Sequence, residues 1–426
     1  MDLEGLARKM LEKGIERNIV RQRLIEWLEF YKGKRNLNSS VAEHVIKEVE
    51  NSMMFSNLGF SKVGLSAGDG GLGSRGLGDN IIHLKLFELS KRAIESFDDA
   101  GVSGDIIVSV DGIHSRLSFF PYLAGFHATK ATLRDIMVKG ADPIGLMVDI
   151  HLSDDSDISM LFDFEAGVST VAEAIGVPIL AGSTLRIGGD LVLGERISGG
   201  IASVGKLRGQ VLSRSRISKG NKIIMTEGNG GGTISAMGIF HGIDGIVEET
   251  LKIKDLEACM AVKDLEKYIV SMTDVTNGGI RADALEIAEV TNLSLVIDEE
   301  AFLSLINPKV RSALEELGLD PFGLSVDSIL IFTNEPDKIL EALKNHGIKA
   351  DVIGEVQSGK SYPIVTKAGK EMRPSFRESP YTPVKSIIGN TSPFSLDQIR
   401  EKVQEAFLQA QKKKEKVLKN LKTGTG

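Results

Sequence analysis

Apolar positions recur at helical spacing through the first sixty residues. Leu3, Leu6 and Met10 are followed by Ile15, Ile19, Ile25 and Leu28, the one-sided pattern of helices that bury a single face. Gly14 reads as a break, and Ser39 or Ser40 is placed to cap a further helix carrying Val41, Val45, Ile46 and Val49. From Gly64 to Gly78 the periodicity stops and glycine dominates. Beyond it, short apolar runs read as buried strands: Ile106–Val110, Leu146–Ile150, Pro178–Leu180 and part of 191–204. Helical patterns over 123–139 and 162–175 alternate with them. This alternation predicts a compact α/β or α+β unit.

A second unit of the same class opens near Ser218. It reads as a strand over Lys222–Thr226, a turn through Gly228–Gly232, a helix over 281–291, strands over 293–297 and 328–332, a helix over 336–346 and a strand over 349–353. The pattern divides the chain into a helical extension (1–63), a glycine-rich loop (64–80), a first α/β unit (81–207), a second (208–370) and a tail with an amphipathic helix (371–426). Lys412-Lys413-Lys414 reads as the solvated face of that last helix.

Composition narrows the function. The 426 residues hold 51 Lys and Arg against 58 Asp and Glu, a net charge of −7. That balance argues against a nucleic-acid binder, which needs clustered cations for phosphate contacts. The single cysteine, Cys259, makes no disulfide framework and no thiolate zinc site, and reads as an ordinary buried residue. No apolar run is long enough to span a bilayer. The amino terminus has no basic, signal-like segment, so a cytoplasmic location is expected, without a membrane partner.

Two phosphate-binding patterns occur literally. Gly354–Ser361 fits GxxxxGK[ST], but Tyr362-Pro363 follows, and proline there opposes the helix the motif requires. Asp351–Val356 and Ser361–Thr366 read instead as the strands of a hairpin. Gly71–Gly76 fits GxGxxG, but a dinucleotide fold needs a strand directly before it and a helix directly after. Phe60–Ser66 is a poor strand, and Gly78-Asp79-Asn80 is expected to delay a helix. The stretch reads as a flexible linker or as a loop that folds its amides over phosphate.

Carboxylates stand where the first unit should turn at strand ends: Asp98-Asp99, Asp111-Gly112, and Asp135 within a helix. These are turn residues or ligands for a hard cation such as Mg²⁺, which takes one or two carboxylates together with phosphate oxygens. Phe97-Asp98-Asp99-Ala100-Gly101-Val102, the strand Val108–His114, the helix segment Ala131–Pro143, the turn Gly182-Ser183-Thr184 and the turn Asp274-Val275-Thr276-Asn277-Gly278-Gly279 occur in this order. Together they resemble the aminoimidazole ribonucleotide synthetase superfamily. Its members include thiamine monophosphate kinases, selenophosphate synthetases and a hydrogenase maturation protein that dehydrates a carbamoyl thioester.

The resemblance implies a two-domain α/β fold whose amino-terminal sheets join in a homodimer as a shared barrel, with ATP and Mg²⁺ as cofactors. Carried over by position, Asp98, Asp99, Asp111 and Asp135 are the metal candidates. Gly70, Gly71, Gly73, Arg75, Arg134 and Thr184 are the nucleotide contacts, and Asp274, Thr276 and His114 are the catalytic candidates. The loop 68–78 becomes a lid over phosphates.

Three departures qualify the transfer: Phe97 for glycine, Arg134 for asparagine, and Ser183 for an acidic residue or asparagine. Arg134 costs a ligand or adds a phosphate-binding cation. The final Thr-Gly-Thr-Gly holds no cysteine, so the dehydrating role is not expected. The expectation is Mg-ATP-dependent phosphorylation or activation of a small-molecule substrate, by a kinase or synthetase. The alternative is a nucleotide-binding maturation or scaffold protein without turnover. Residues 1–60 are a packing extension or a surface for a protein partner.

Overall fold

The computed structural model describes residues 1–55, 58–90, 98–378 and 380–423. Phe97 and the last three residues, both singled out above, lie outside them. Three amphipathic helices open the chain: α1 (Leu3–Glu12), α2 (Arg17–Lys32) and α3 (Leu37–Met54). Gly14 breaks the first pair with φ +72°. The third helix starts at Leu37, after Asn36, rather than at a serine cap; Ser39 and Ser40 lie inside its first turn. The three helices share a core of their own, including Leu3, Leu24, Leu28 and Ile46. Leu193 from the first α/β unit completes it.

The glycine-rich stretch leads directly into α4 (Leu77–Leu89). The helix expected to be delayed therefore begins at once, because Asp79 in its first turn accepts the amides of Gly73 and Arg75. Among the described residues no strand precedes the loop, which removes the dinucleotide reading on its other requirement.

The first unit runs β1 (Gly101–Ser103), β2 (Ile106–Gly112), α5 (Pro121–Val138), β3 (Ala141–Leu152), α6 (Ser159–Ile175), β4 (Ile179–Arg186) and β5 (Ile197–Leu207). Its sheet has the order β1-β2-β5-β3-β4, antiparallel except for β3 against β4. α5 and α6 cover one face. On the other face Val110, Ala202, Met147 and Ala181 stand in one cross-strand row, and Val110 is 74% exposed. Val108, Leu180 and Leu185 are exposed on the same strands.

The second unit runs β6 (Lys222–Thr226), α7 (Gly232–His241), α8 (Ile246–Thr250), α9 (Lys254–Ala261), β7 (Ile269–Val275), α10 (Gly279–Thr291), β8 (Ser294–Ile297), α11 (Glu299–Ser304), α12 (Pro308–Glu316), β9 (Ser328–Thr333), α13 (Pro336–Asn345), β10 (Ala350–Gln357) and β11 (Ile364–Thr366). The sheet order is β11-β8-β10-β6-β9-β7. The expected hairpin is therefore not one. β8 lies between the two strands, antiparallel to β10 and parallel to β11, so residues 358–363 cross over it. The phosphate-loop reading still fails, since a strand and not a helix follows.

α14 (Pro383–Ile388) and α15 (Leu396–Thr423) end the chain. This segment is no loose tail. Arg377 donates to the Gly68 carbonyl, Ser392 to Asp69 and Lys402 to Val63. The Phe376 ring fills the space a Cβ on Gly78 would need.

Candidate active site

α5 is the axis of the site. Lys130 and Arg134 are four residues apart and so share a face, which points into the second unit. Arg134 donates from Nε to Asp274 and from Nη1 to Asp255, each at 2.5 Å, and lies 3.1 Å from Asp327. Lys130 Nζ is 2.8 Å from Asp327. Burial would raise the Asp327 carboxyl, but Arg134 and Lys130 outweigh it and hold it far below its ordinary value. Burial and neighbouring carboxylates push Asp274 up, and Arg134 limits the rise.

A second set of ion pairs lies at the other end of α5. Lys139, fully buried, holds Asp98 at 2.6 Å and Asp99 at 2.9 Å, and donates to the Met272 carbonyl at 2.7 Å. Arg214 pairs with Asp99 and reaches Glu286 at 2.6 Å. Thr273 donates to Asp99 at 2.8 Å. Against the effect of burial, Arg214 and Lys139 hold the Asp99 carboxyl at about 2. Both members of the acidic pair are thus neutralised by the chain's own cations.

Asp111 and Asp135 are different. Asp111 sits on β2, and Asp135 accepts from Ser109 of the same strand at 2.5 Å. Neither has a cationic partner among the described residues. Burial, then Asp274, pushes Asp111 up to about 6, against Arg134 and Arg75. Burial, Asp274 and Asp111 raise Asp135 well above its ordinary value. In the whole network five cations (Lys130, Arg134, Lys139, Arg214 and Arg75) meet nine carboxyl groups (Asp98, Asp99, Asp111, Asp135, Asp255, Asp274, Asp283, Glu286 and Asp327).

The glycine loop approaches from the second unit's side. Asn277 donates to the Gly73 carbonyl, and Arg75 Nη2 reaches Glu286 at 2.9 Å. Gly278, with φ +92°, lies where any Cβ would come within 2.6 Å of the Arg75 Cβ, so only glycine permits this approach. The amides of Gly70 and Gly71 bond to backbone carbonyls within the loop, and those of Gly73 and Arg75 to Asp79. The loop is therefore placed at the site but its amides are internally satisfied.

Of the candidate residues, Asp98, Asp99, Asp111, Asp135, Arg134, Arg75 and Asp274 meet in one network. Gly73 and the Thr276 turn border it. Thr184 does not: it stands on β4, three strands from β2, a separation of about 14 Å at the usual strand spacing. His114 lies two residues past the end of β2, where a Cβ on Gly232 would meet the His114 side chain and the Cβ of His127. Sequence reasoning missed Lys130, Lys139, Arg214, Asp255 and Asp327. Lys139 lay inside the quoted 131–143 segment, and its charge beside an apolar helix face was the available signal.

Among the described residues no group of three His, Cys, Asp or Glu forms a metal cage. Mg²⁺ does not need one, since one or two carboxylates plus phosphate and water suffice. Asp111 and Asp135 fit that role on charge grounds; Asp98 and Asp99, already paired, do not. Cys259 is buried and its thiol is pushed up by burial, which leaves it unreactive.

Models of the AIR synthase related protein amino- and carboxyl-terminal domains match residues 97–205 and 218–367. An uncharacterized protein of Methanocaldococcus jannaschii is 38% identical over 99% of this chain and 98% of its own length. The chain belongs to the AIR synthase-related family. Within that family, carbamoyl dehydratase HypE of Rhizobium leguminosarum bv. viciae is 28% identical over 71% of this chain and 88% of its own. Among solved structures, hydrogenase maturation protein HypE in complex with ATP superposes with a TM-score of 0.54 at 19% identity, over 87% of this chain and 99% of that one. AaThiL complexed with AMPPCP and TMP gives 0.55 at 18%, over 72% and 98%. These likenesses establish the two-domain AIR synthase-related fold. No helix among the described residues is long and apolar enough to cross a membrane.

Proposed function

We propose that this AIR synthase-related protein is an Mg²⁺- and ATP-dependent enzyme that phosphorylates, or activates with phosphate, a small-molecule substrate. The observation that carries the reading is Asp111 and Asp135: two carboxyl groups on β2 and α5, each pushed up by burial and by Asp274 and neither in an ion pair among the described residues, where the two family domains meet. Such a pair is costly unless a cation arrives. Asp111 and Asp135 would hold Mg²⁺, which when bound neutralises phosphate charge. Positioning and charge neutralisation are most of what phosphoryl transfer asks of a protein. Arg75 and the 68–78 loop border the place where phosphates would lie, and the buried Asp274–Arg134 pair positions the domain joint. The nucleotides bound in the AaThiL and HypE structures support the reading.

A second reading has its own support. Asp98, Asp99 and Asp274 are each paired to a buried Lys or Arg, which would suit a nucleotide-binding maturation or scaffold protein without turnover. The exposed apolar row on the first sheet supports a homodimer through that face. Phe30, exposed on α2, and Phe55, exposed just past the end of α3, offer a surface to a protein partner.

Calorimetry with Mg-AMPPCP and a coupled assay for ADP release separate the readings. The enzyme reading expects Mg²⁺-dependent binding, and ADP release that falls by orders of magnitude in folded Asp111→Asn and Asp135→Asn. Binding without ADP release favours the second reading. No Mg²⁺-dependent binding sinks both.

A further inference from the structure

The end of β2 carries donors without acceptors. Tyr381, from the carboxyl-terminal segment, lies 2.7 Å from His114 Nε2, and Lys385 Nζ donates to the Tyr381 hydroxyl at 2.9 Å. With Lys385 donating to it, the phenol's own proton goes to Nε2, so His114 carries its proton on Nδ1. That Nδ1 is buried with no hydrogen-bond partner, and so is Nε of Arg116 two residues on. Arg116 stacks on the Phe240 ring at 4.1 Å. Neither Arg116 nor Lys385 has a carboxylate partner among the described residues, although ion pairs are dense elsewhere in this molecule. Two donors here, His114 Nδ1 and Arg116 Nε, lack any acceptor, and Lys385 has only the neutral Tyr381 hydroxyl to donate to.

Two uncompensated cations packed together are unfavourable unless an anion joins them. Their mutual effect is visible: burial, then Arg116, lowers Lys385 to about 8, and burial, Lys385 and Arg116 lower His114 to about 4. Tyr381 is 1% exposed, so the carboxyl-terminal segment closes this place like a strap. Tyr381 and Lys385 lie beyond residue 367, outside the matched family domains.

We propose that Arg116, Lys385 and the Nδ1–H of His114 form a binding site for an oxyanion, the phosphate or carboxylate group of the small-molecule substrate. The charge-assisted bonds it would accept are the strong class of hydrogen bond. Its assignment to the substrate rests on the enzyme reading; the existence of the oxyanion site does not. The carboxyl-terminal segment supplies Lys385 to this site.

The test uses the full chain, with inorganic phosphate and acetate as probes. Acetylation of Lys385 is followed by peptide mass spectrometry, and binding by calorimetry. Either anion should protect Lys385 at saturation, and the better protector identifies the group. Arg116→Met should weaken that anion at least about tenfold, as loss of one charge-assisted bond predicts, while Mg-AMPPCP binding stays unchanged. Lys385→Met should weaken the anion similarly. Protection without nucleotide binding upholds the oxyanion site and removes both nucleotide readings of the protein, the assignment to the substrate with them. Nucleotide binding without protection by either anion overturns this inference alone. Loss of Mg-AMPPCP binding in a folded Arg116→Met protein also overturns it, since the cation would then belong to the nucleotide.

Discussion

Asp111→Asn should stabilise the protein while disabling it. The Asp111 carboxyl titrates near 6 in the folded chain against an ordinary 3.8, because burial and then Asp274 disfavour its ionised form. A group whose folded pKa is raised binds its proton more tightly when folded, so stability falls as pH rises through the interval from 3.8 to 6. At about 1.4 kcal/mol for each pH unit, the ionised carboxylate costs about 3 kcal/mol above that interval. Asparagine keeps the shape and never ionises. Urea unfolding followed by circular dichroism, without Mg²⁺, should place Asp111→Asn up to about 3 kcal/mol above wild type at pH 7.5. The gap should close below about pH 4, where both side chains are neutral. Added Mg²⁺ should narrow the gap at pH 7.5 by stabilising wild type alone. A destabilised variant, or a gap independent of pH, would falsify the account of Asp111 as a partly buried acid without a cation of its own.

Two further outcomes follow from the same geometry. Arg134→Met leaves Asp274 without its cation and strips one partner from Asp255 and Asp327. Denaturant unfolding should show a loss of about 3–5 kcal/mol, the usual cost of orphaning a buried charge. Adding Asp274→Asn should restore part of it, and simple additivity in that cycle would refute direct coupling. Val110→Glu places a charge in the exposed apolar row of the first sheet, and should shift a dimer to monomer in sedimentation while changing monomer stability by about 1 kcal/mol or less; a sedimentation profile identical to that of a dimeric wild type would remove this face as the interface.

The fold was legible where periodicity speaks. The strand at 106–110, the helix behind Asp135 and the strand Lys222–Thr226 all lie where their apolar patterns put them: the first alternates buried and exposed positions, and the other two are apolar enough to be buried nearly all round. Register was not legible. Asp351–Val356 and Ser361–Thr366 have the look of a hairpin, and nothing local announces that Ser294–Ile297 will pair with both. The acidic residues were found as a set, but their division into paired and unpaired was hidden. Lys139 and Arg214, which quench Asp98 and Asp99, lie 40 and more than 100 positions from them. Asp255 and Asp327, which claim Arg134, belong to elements with no motif of their own. Tyr381 and Lys385 fell in what read as a tail.

That division bears on how the site works. The cations of α5 and Arg214 bind the two domains together through Asp98, Asp99, Asp274 and Asp327, and each of those contacts is already satisfied. A ligand that competed for them would have to break buried ion pairs, at several kcal/mol each. Asp111 and Asp135 ask the opposite of a ligand, since a cation there relieves a cost the folded chain already bears. The donors around His114 and Arg116 are the mirror case, relieved only by an anion. On the proposed reading, an unmet negative site and an unmet positive site stand three residues apart at the end of β2 and would favour binding metal and oxyanion together over binding either alone: each bound ligand would offset the repulsion that the other ligand feels from the neighbouring site, and the two ligand charges would attract each other across a short span of low dielectric.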